Sequence, residues 1–549
     1  MVDFALRNYT RSPILPLLYA VIFVSGAAIL ALELLASRIM TPYFGVSLYI
    51  WTGILSITLV SLALGYWAGG RFAGAARTGA VERLIGLYAL LPALAALSIV
   101  AACLVYPYAF LPLAGWSLIL GSFAACLILL FVPLATTSAM NPLLVAIALR
   151  QAREHAGDAG AGRVFFVSTI GSVAGVLVTA FAMIPHLTNF AAVLIVAVTL
   201  ALLSLAAALS ASPQPRSRPL IVSSAVVAAL AALALLWNAD AYTGRQGTVQ
   251  YSGGAWRVEA SYSSLFGTVK ILRTEANADS GLFHRLYFHD GLVQNTVDSR
   301  GRSESFYTYA LEALALAYRP HLRSVLTLGL GAGMVPTQFA RRGVAAEVVE
   351  IDPNSLRVAQ QFFGFDPAKV RVHHVDARTF VRNCPRRYDA IVVDLFHGDG
   401  TPDYLVTRDF FQGLRACLAP DGVAVFNTFA DLQRPSGYAH FLVTLRAELP
   451  HIALYRPHWP GAVHVNSFVV AGARELPAPE KVTFDYVPPR HSATLWEMLA
   501  NPRSVDAALL AGGRIVTDAR NAAAHDIALG QMVHRRSVVE ALPAPLLVN

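Results

Sequence analysis

Three strand-like stretches in this chain each end in acid. Ala346-Glu347-Val348-Val349 stops at Glu350-Ile351-Asp352, the stretch 370–374 is followed by Asp376, and Ala390-Ile391-Val392-Val393 stops at Asp394. Upstream, Ser324-Val325-Leu326-Thr327-Leu328 runs into Gly329-Leu330-Gly331-Ala332-Gly333. A carboxylate just past a buried strand can accept hydrogen bonds and hold a cation. An acid about 17 residues after a glycine turn is placed to bond ribose hydroxyls. Asp376 could accept from an adenine amino group. No lysine follows the glycines at the spacing of a phosphate-cradling loop, which disfavours an ATPase. Acids at three successive strand ends suit a sulfonium nucleoside of the S-adenosylmethionine type better than a dinucleotide. Helix capping on the loops that follow strands is the structural alternative. It accounts for any one of these acids more readily than for all three.

The elements that must position these groups alternate strand and helix. Strands at 324–328, 346–350, 370–374, 390–393 and 422–426, with helices at 334–342 and 353–362, predict a Rossmann-like, doubly wound α/β domain over 321–549. Its site is expected beyond the carboxyl ends of the strands. Residues 240–320 predict a small β subdomain, with strands at 267–272 and 285–288, then a helix at 303–318.

The rest of the chain has a different composition. Of 549 residues, 56% are hydrophobic and 14% charged, against about 25% charged in soluble domains. Residues 1–239 carry 11 Arg, no Lys and 5 acids, and the remaining 310 residues carry 31 Lys+Arg and 29 acids. The first part predicts a multi-pass helical membrane domain. Apolar runs long enough to span a bilayer lie at about 14–37, 48–68, 84–106, 113–135, 164–184, 189–210 and 219–237. Segment 136–150 is too short to cross, and Asn141-Pro142 is expected to break it, giving a re-entrant or interfacial helix. With the N-terminus in the cytoplasm, Arg7, Arg11, Arg71, Arg77, Arg83, Arg150, Arg153, Arg163, Arg216 and Arg218 fall on the inner side and only Arg38 opposite. The net charge of +8 thus marks topology, not affinity for nucleic acid. An odd number of spans puts 240–549 outside; an eighth span at 136–150 would put it inside. Glu33 is the one acid within a span, a proton or amine site or else a partner of Arg38. The small residues of 168–175 predict close helix packing. Gly65 to Arg71 is similar to a cytoplasmic loop motif of major-facilitator transporters. Cys103, Cys126, Cys384 and Cys417 form no CxxC pair and indicate neither a disulfide framework nor a metal site.

Over roughly 255–475 the sequence resembles the spermidine synthases, the polyamine aminopropyltransferases, and most closely the bacterial form fused to a transporter-like membrane half. The resemblance rests on Asp290-Gly291-Leu292-Val293-Gln294, Tyr307, Gly329 to Gly333, Glu350-Ile351-Asp352, Asp376-Ala377, Asp394, Gly398-Asp399-Gly400-Thr401-Pro402, Phe410-Phe411 and 418–422, with Pro42-Tyr43-Phe44-Gly45 and 168–175 in the membrane half. It implies transfer of an aminopropyl group from decarboxylated S-adenosylmethionine, a co-substrate and not a resident cofactor, to putrescine or a related diamine, releasing methylthioadenosine. It implies Asp394 as the base. Gly329, Gly331, Gly333, Glu350, Asp352, Asp376, Ala377 and Gln294 would hold the nucleoside, and Tyr307, Asp394, Asp399 and Trp459 the amine. Glu304 and Asp403 would add negative potential. It also implies a homodimer in a bacterial inner membrane.

The departures bear on the donor and acceptor. Ala332 stands where the family has an Asp for the aminopropyl ammonium, Gly267 where it has a Gln, Thr308 where it has a Gln or His, and Trp459 where it has a Tyr. A methyltransferase using intact S-adenosylmethionine and a polyamine sensor or transporter are the alternatives. His373-His374 are expected to be strand-end residues and His397 an exposed loop histidine or a proton relay beside Asp394. The turn 517–521 is expected to cap the final helices.

Overall fold

The computed structural model describes residues 14–45, 48–75, 81–151, 158–211, 213–244, 247–396, 401–431, 436–457, 464–484 and 486–521, and within 522–549 residues 524, 526, 534–536, 538–539 and 541–548. The chain forms two compact units, 1–249 with 539–549, and 250–538. The last residues, expected in the soluble domain, thus belong with the helices.

Among its described residues the first unit contains seven helices long and apolar enough to cross a membrane: Leu15–Phe44, Ile50–Ala75, Val81–Trp116, Leu118–Arg150, Gly160–His186, Asn189–Ser210 and Arg218–Trp237. Segment 136–150 is not a separate re-entrant helix; it continues the fourth. Pro142 cannot donate to the carbonyl of Ser138, and the Asn141 side-chain amide donates there instead, Nδ2 to O at 3.4 Å. The dipeptide expected to end the helix therefore mends its own gap. Gly65 to Arg71 is likewise not a loop but part of the second helix. A Cβ on Gly65 or Gly69 would run into the backbone of Ala135 or Ala139, so these glycines let the second and fourth helices touch. Gly171 and Gly175 do the same against Phe23 and Ala27.

The second unit begins with an antiparallel sheet in the order β1-β2-β3-β4-β5: β1 Val249–Tyr251, β2 Gly254–Ser264, β3 Gly267–Thr274, β4 His284–His289 and β5 Leu292–Asp298. Asp290 and Gly291 join β4 to β5 with φ of 44° and 87°, the two positive angles of a type I′ hairpin. The helix Phe306–Tyr318 leads into a seven-stranded sheet of β6 Ser324–Leu328, β7 Ala345–Glu350, β8 Arg371–His374, β9 Tyr388–Val393, β10 Leu418–Asp431, β11 His451–Tyr455 and β12 His464–Gly472. Its order is β11-β12-β10-β9-β6-β7-β8. The strands β8, β7, β6, β9 and β10 are parallel, while β12 runs antiparallel to β10 and β11 to β12. This is the doubly wound, class I methyltransferase-like arrangement. Two apolar cores cover the sheet, one around Val325, Val348, Val392 and Phe468, the other around Leu326, Ile391, Phe411 and Val469. Strand order reverses between β6 and β9, so the crevice of such a sheet opens beyond Leu328 and Val393.

Cys384 and Cys417 are bonded, their Cα atoms 5.7 Å apart, contrary to the expectation of no disulfide. They lie 33 residues apart in sequence, a pairing with no spacing signal. The helices Ala377–Arg382 and Arg408–Cys417 bring them together.

Candidate functional site

A cavity of about 510 Å³ opens at that crevice, within the usual range for small-molecule sites. Gly329, Gly331, Glu350, Asp352, Asp376, Ala377, Asp394, Gln294 and Tyr307 all line it. The structure thus brings together nine of the residues singled out in the sequence. Gly333 serves from behind, as the left-handed residue (φ 76°) before the helix Met334–Arg341, where a Cβ would strike Phe365. Asp399, His397 and Trp459 lie outside the described residues.

The acids differ in what they do. Glu350 accepts from the backbone N–H of Leu330 at 3.0 Å and of Asp352 at 2.8 Å, so it fastens the glycine turn to the end of β7. Burial pushes its carboxyl up to about 7. Asp352 caps the helix Pro353–Phe363 by accepting from Asn354 N at 3.0 Å, and its other oxygen accepts from Ser264 Oγ at 3.0 Å. Here the capping alternative holds alongside its place on the wall. Asp376 also caps, accepting from Thr379 N at 2.9 Å. Its second oxygen stands 3.5 Å from the Tyr404 hydroxyl, an aromatic neighbour suited to a flat base.

Asp394 stands at the end of β9. Its backbone N–H donates to Leu328 O at 2.9 Å, continuing the β6–β9 ladder one step. Its Oδ1 accepts from Asn427 Nδ2 at 2.9 Å. Burial pushes the carboxyl up to about 6, and the Asn427 bond opposes part of that rise. Tyr307, on the first turn of Phe306–Tyr318, receives a 3.4 Å bond from Asn295 Nδ2. Burial and then the charge of Asp394 push its phenol well up, so it remains a neutral hydroxyl beside the carboxylate.

Two acids expected to face an amine do not. Glu304 is ion-paired with Arg490 and Asp403 accepts from Asn521 Nδ2 at 3.0 Å, and neither lines the cavity. Each found a partner in the C-terminal part, whose folding back the sequence pattern does not show. The turn at 517–521 has a larger part than capping, since Asp518 pairs with Arg378 and Arg382. His373 and His374 close β8 as expected, and His373 bonds Glu347 at 2.7 Å, which also receives Tyr388 at 3.1 Å. Ala332 is buried in the cluster of Val269, Tyr287 and Met334 and does not line the cavity.

The wall also holds Asn427, Asn466, Tyr404, His289 and His534, which sequence reasoning missed. A polar residue closing the apolar run Val423-Ala424-Val425-Phe426 was the available signal for Asn427. Asn466 sits on the antiparallel β12, which has no glycine turn or acid to draw attention.

Comparison with known proteins bears on the same region. Residues 304–434 match the spermine/spermidine synthase domain family. The polyamine aminopropyltransferase of Vibrio vulnificus is 35% identical over 132 residues, covering 23% of this chain and 44% of that protein. The N-terminal histidine N-methyltransferase of Emericella nidulans is 36% identical over 138 residues, 24% of each. The chain therefore spans less than half of each of these two relatives. The crystal structure of spermidine synthase from Thermotoga maritima aligns at 18% identity and a TM-score of 0.34, over 44% of this chain and 88% of that one.

Proposed function

We propose, from the spermine/spermidine synthase domain that residues 304–434 carry, that this chain is a membrane-bound polyamine aminopropyltransferase. It would move an aminopropyl group from decarboxylated S-adenosylmethionine to putrescine or a related diamine. The observation that carries this reading is Asp394, a carboxylate at the switch point, on one wall with Tyr307 and the glycine turn. An alkylammonium has a pKa near about 10 and is no nucleophile until it loses a proton. Asp394 binds that ammonium, takes its proton, and leaves a neutral nitrogen held in line. The nitrogen forms a bond to the carbon beside the sulfonium, the C–S bond breaks with its electrons going to sulfur, and neutral methylthioadenosine leaves. Glu350 and Asp376 favour the ribose hydroxyls and the adenine amino group. Calorimetry on the purified full chain tests the donor. Decarboxylated S-adenosylmethionine is expected to bind at least about tenfold more tightly than the intact nucleoside, whose carboxylate would enter a wall of acids; the reverse order counts against the reading.

A second reading is a methyltransferase. Ala332 in place of an acid favours it, since an acid there would repel the carboxylate of intact S-adenosylmethionine. The identity to a histidine N-methyltransferase also supports it. The same calorimetry decides between the two.

For location, we infer a multi-pass membrane protein with its N-terminus in the cytoplasm, from seven long apolar helices and the arginine bias. An odd number of spans would set the catalytic unit on the outer face, a reading that the Cys384–Cys417 bond supports, since disulfides suit an oxidising compartment. Protease added to intact cells is then expected to cleave within the catalytic unit, and thiol labelling to detect the pair only after reduction. Protection from protease, with both thiols free, would place the unit inside.

A further inference from the structure

We propose that Asn427 and Asn466 form a two-amide positioning device that fixes which face of Asp394 meets the substrate amine. This rests on the aminopropyltransferase reading and extends it to two residues beyond those on which the resemblance rests. Asn427 sits on β10 one residue beyond the register pair Phe426–Val393, so it stands beside Asp394. Its partner across β12 is Phe468. Asn466 lies two residues from Phe468, on the same side of the pleat and diagonal to Asn427.

The bonds run in one direction. Asn466 Nδ2 donates to Asn427 Oδ1 at 3.0 Å, and Asn427 Nδ2 donates to Asp394 Oδ1 at 2.9 Å. A side-chain amide is a donor at one end and an acceptor at the other. Left alone, Asn427 could turn over and offer Oδ1 to the carboxyl, a contact that favours the protonated acid. The Asn466 donor makes that flip costly, because it would set two amide NH₂ groups against each other. With Asn427 4% exposed, water does not readily replace the lost bond. The amide thus ties one carboxylate oxygen in its ionised form, while the other oxygen is left for the ammonium. Among the described residues, Asn427 is the hydrogen-bond partner of the Asp394 side chain. The other titratable groups on the cavity wall are Tyr251 from β1, Tyr287 and His289 from β4, Tyr307 from the helix after β5, Glu350 from β7, Asp376 just after β8, Tyr404 from the 403–405 turn, and His534 from the C-terminal part. The nearby capping carboxylate Asp352 also lies there. The side-chain hydrogen bond described for Asp394 comes from Asn427, so the amide pair is a direct lever on its charge.

The test is the pH profile of kcat/KM for Asn466→Asp and Asn466→Ala in the purified full chain. An Asp at 466 only accepts, so it pulls the Asn427 NH₂ away and turns Oδ1 toward Asp394. Its own charge acts in the same direction. The acid limb is expected to move up by about one pH unit, with about a twofold loss at pH 7 that grows to about tenfold by pH 5. The Ala variant is expected to show a smaller shift of the same sign. Both are first required to bind the donor nucleoside as wild type does, which separates a folded variant from a collapsed one. Reduced rates with an unmoved acid limb overturn the proposal. If wild type turns over no decarboxylated S-adenosylmethionine, the aminopropyltransferase reading falls instead. The amide pair is then judged by infrared titration of the Asp394 carboxyl, assigned by its loss in Asp394→Asn. An upward shift in Asn466→Asp supports the device, and an unchanged titration overturns it.

Discussion

Asp394→Asn is expected to cost about 10²- to 10⁴-fold in turnover while making the folded chain more stable at neutral pH. The two effects share one cause. Burial raises the carboxyl from an ordinary 3.8 to about 6, so the folded state holds an ionised group less comfortably than the unfolded state does. A raised carboxyl contributes relative stability below its unfolded pKa and loses it as pH rises through the folded value. Above pH 6 the folded chain therefore bears a cost on the order of 2–3 kcal/mol. A neutral amide at 394 does not bear it. The gain should show as a later unfolding transition of the variant at pH 7.5 and fade by about pH 4. Wild-type kcat/KM should fall below about pH 6, where Asp394 takes up its proton. A carboxylate kept at a loss of stability is what a working base requires. A variant both inactive and less stable at pH 7.5 would instead mark Asp394 as a structural group.

The second large effect is expected from Gly329→Ala. Gly329 has a φ of 96°, and a Cβ there would run into the carbonyl oxygen of Asp394. Both walls of the crevice meet at that point: Gly329 N–H donates to Val349 O and Asp394 N–H to Leu328 O, each at 2.9 Å. The variant must relieve backbone strain of about 1–3 kcal/mol and also push β9 away from β6, which displaces Asp394. A loss of 3 kcal/mol or more and of nucleoside binding is expected by unfolding and calorimetry. Gly331→Ala is the control. Gly331 also has a positive φ, 52°, but nothing lies within 4 Å of where its Cβ would be. It should cost only about 1 kcal/mol and leave Asp394 in place. Equal losses in the two variants would mean that the turn matters by its flexibility alone.

Much of this site was legible because strand ends announce themselves in sequence. An apolar run stopped by an acid, as at Val393-Asp394 or Val349-Glu350, fixes both a β-strand and the residue at its carboxyl end. The parallel strands carry that signal and the antiparallel β11 and β12 do not, so Asn466 escaped notice. Helix ends were less legible. The apolar runs stop near 37 and 68, yet the helices continue to Phe44 and Ala75. Polar or small residues such as Ser37, Thr41, Gly65 and Gly69 pack inside the helical unit and need no lipid. Asn141-Pro142 read as a stop because proline removes a donor, while the asparagine's ability to supply one shows only in three dimensions. Arg490, which pairs with Glu304, and Asn521, which bonds Asp403, each lie more than 100 residues from their partner, and no local pattern encodes such a pairing.

Acids gathered around Asp394 suit a cationic amine and a decarboxylated sulfonium nucleoside. The most direct test of this chemistry is turnover by the purified full chain. Decarboxylated and intact S-adenosylmethionine are each supplied with a panel of diamines, and the nucleoside product is separated and identified. Release of methylthioadenosine from the decarboxylated donor, dependent on a diamine and lost in Asp394→Asn, is the result this account predicts. Release of S-adenosylhomocysteine from the intact donor, with no methylthioadenosine from the other, would contradict it.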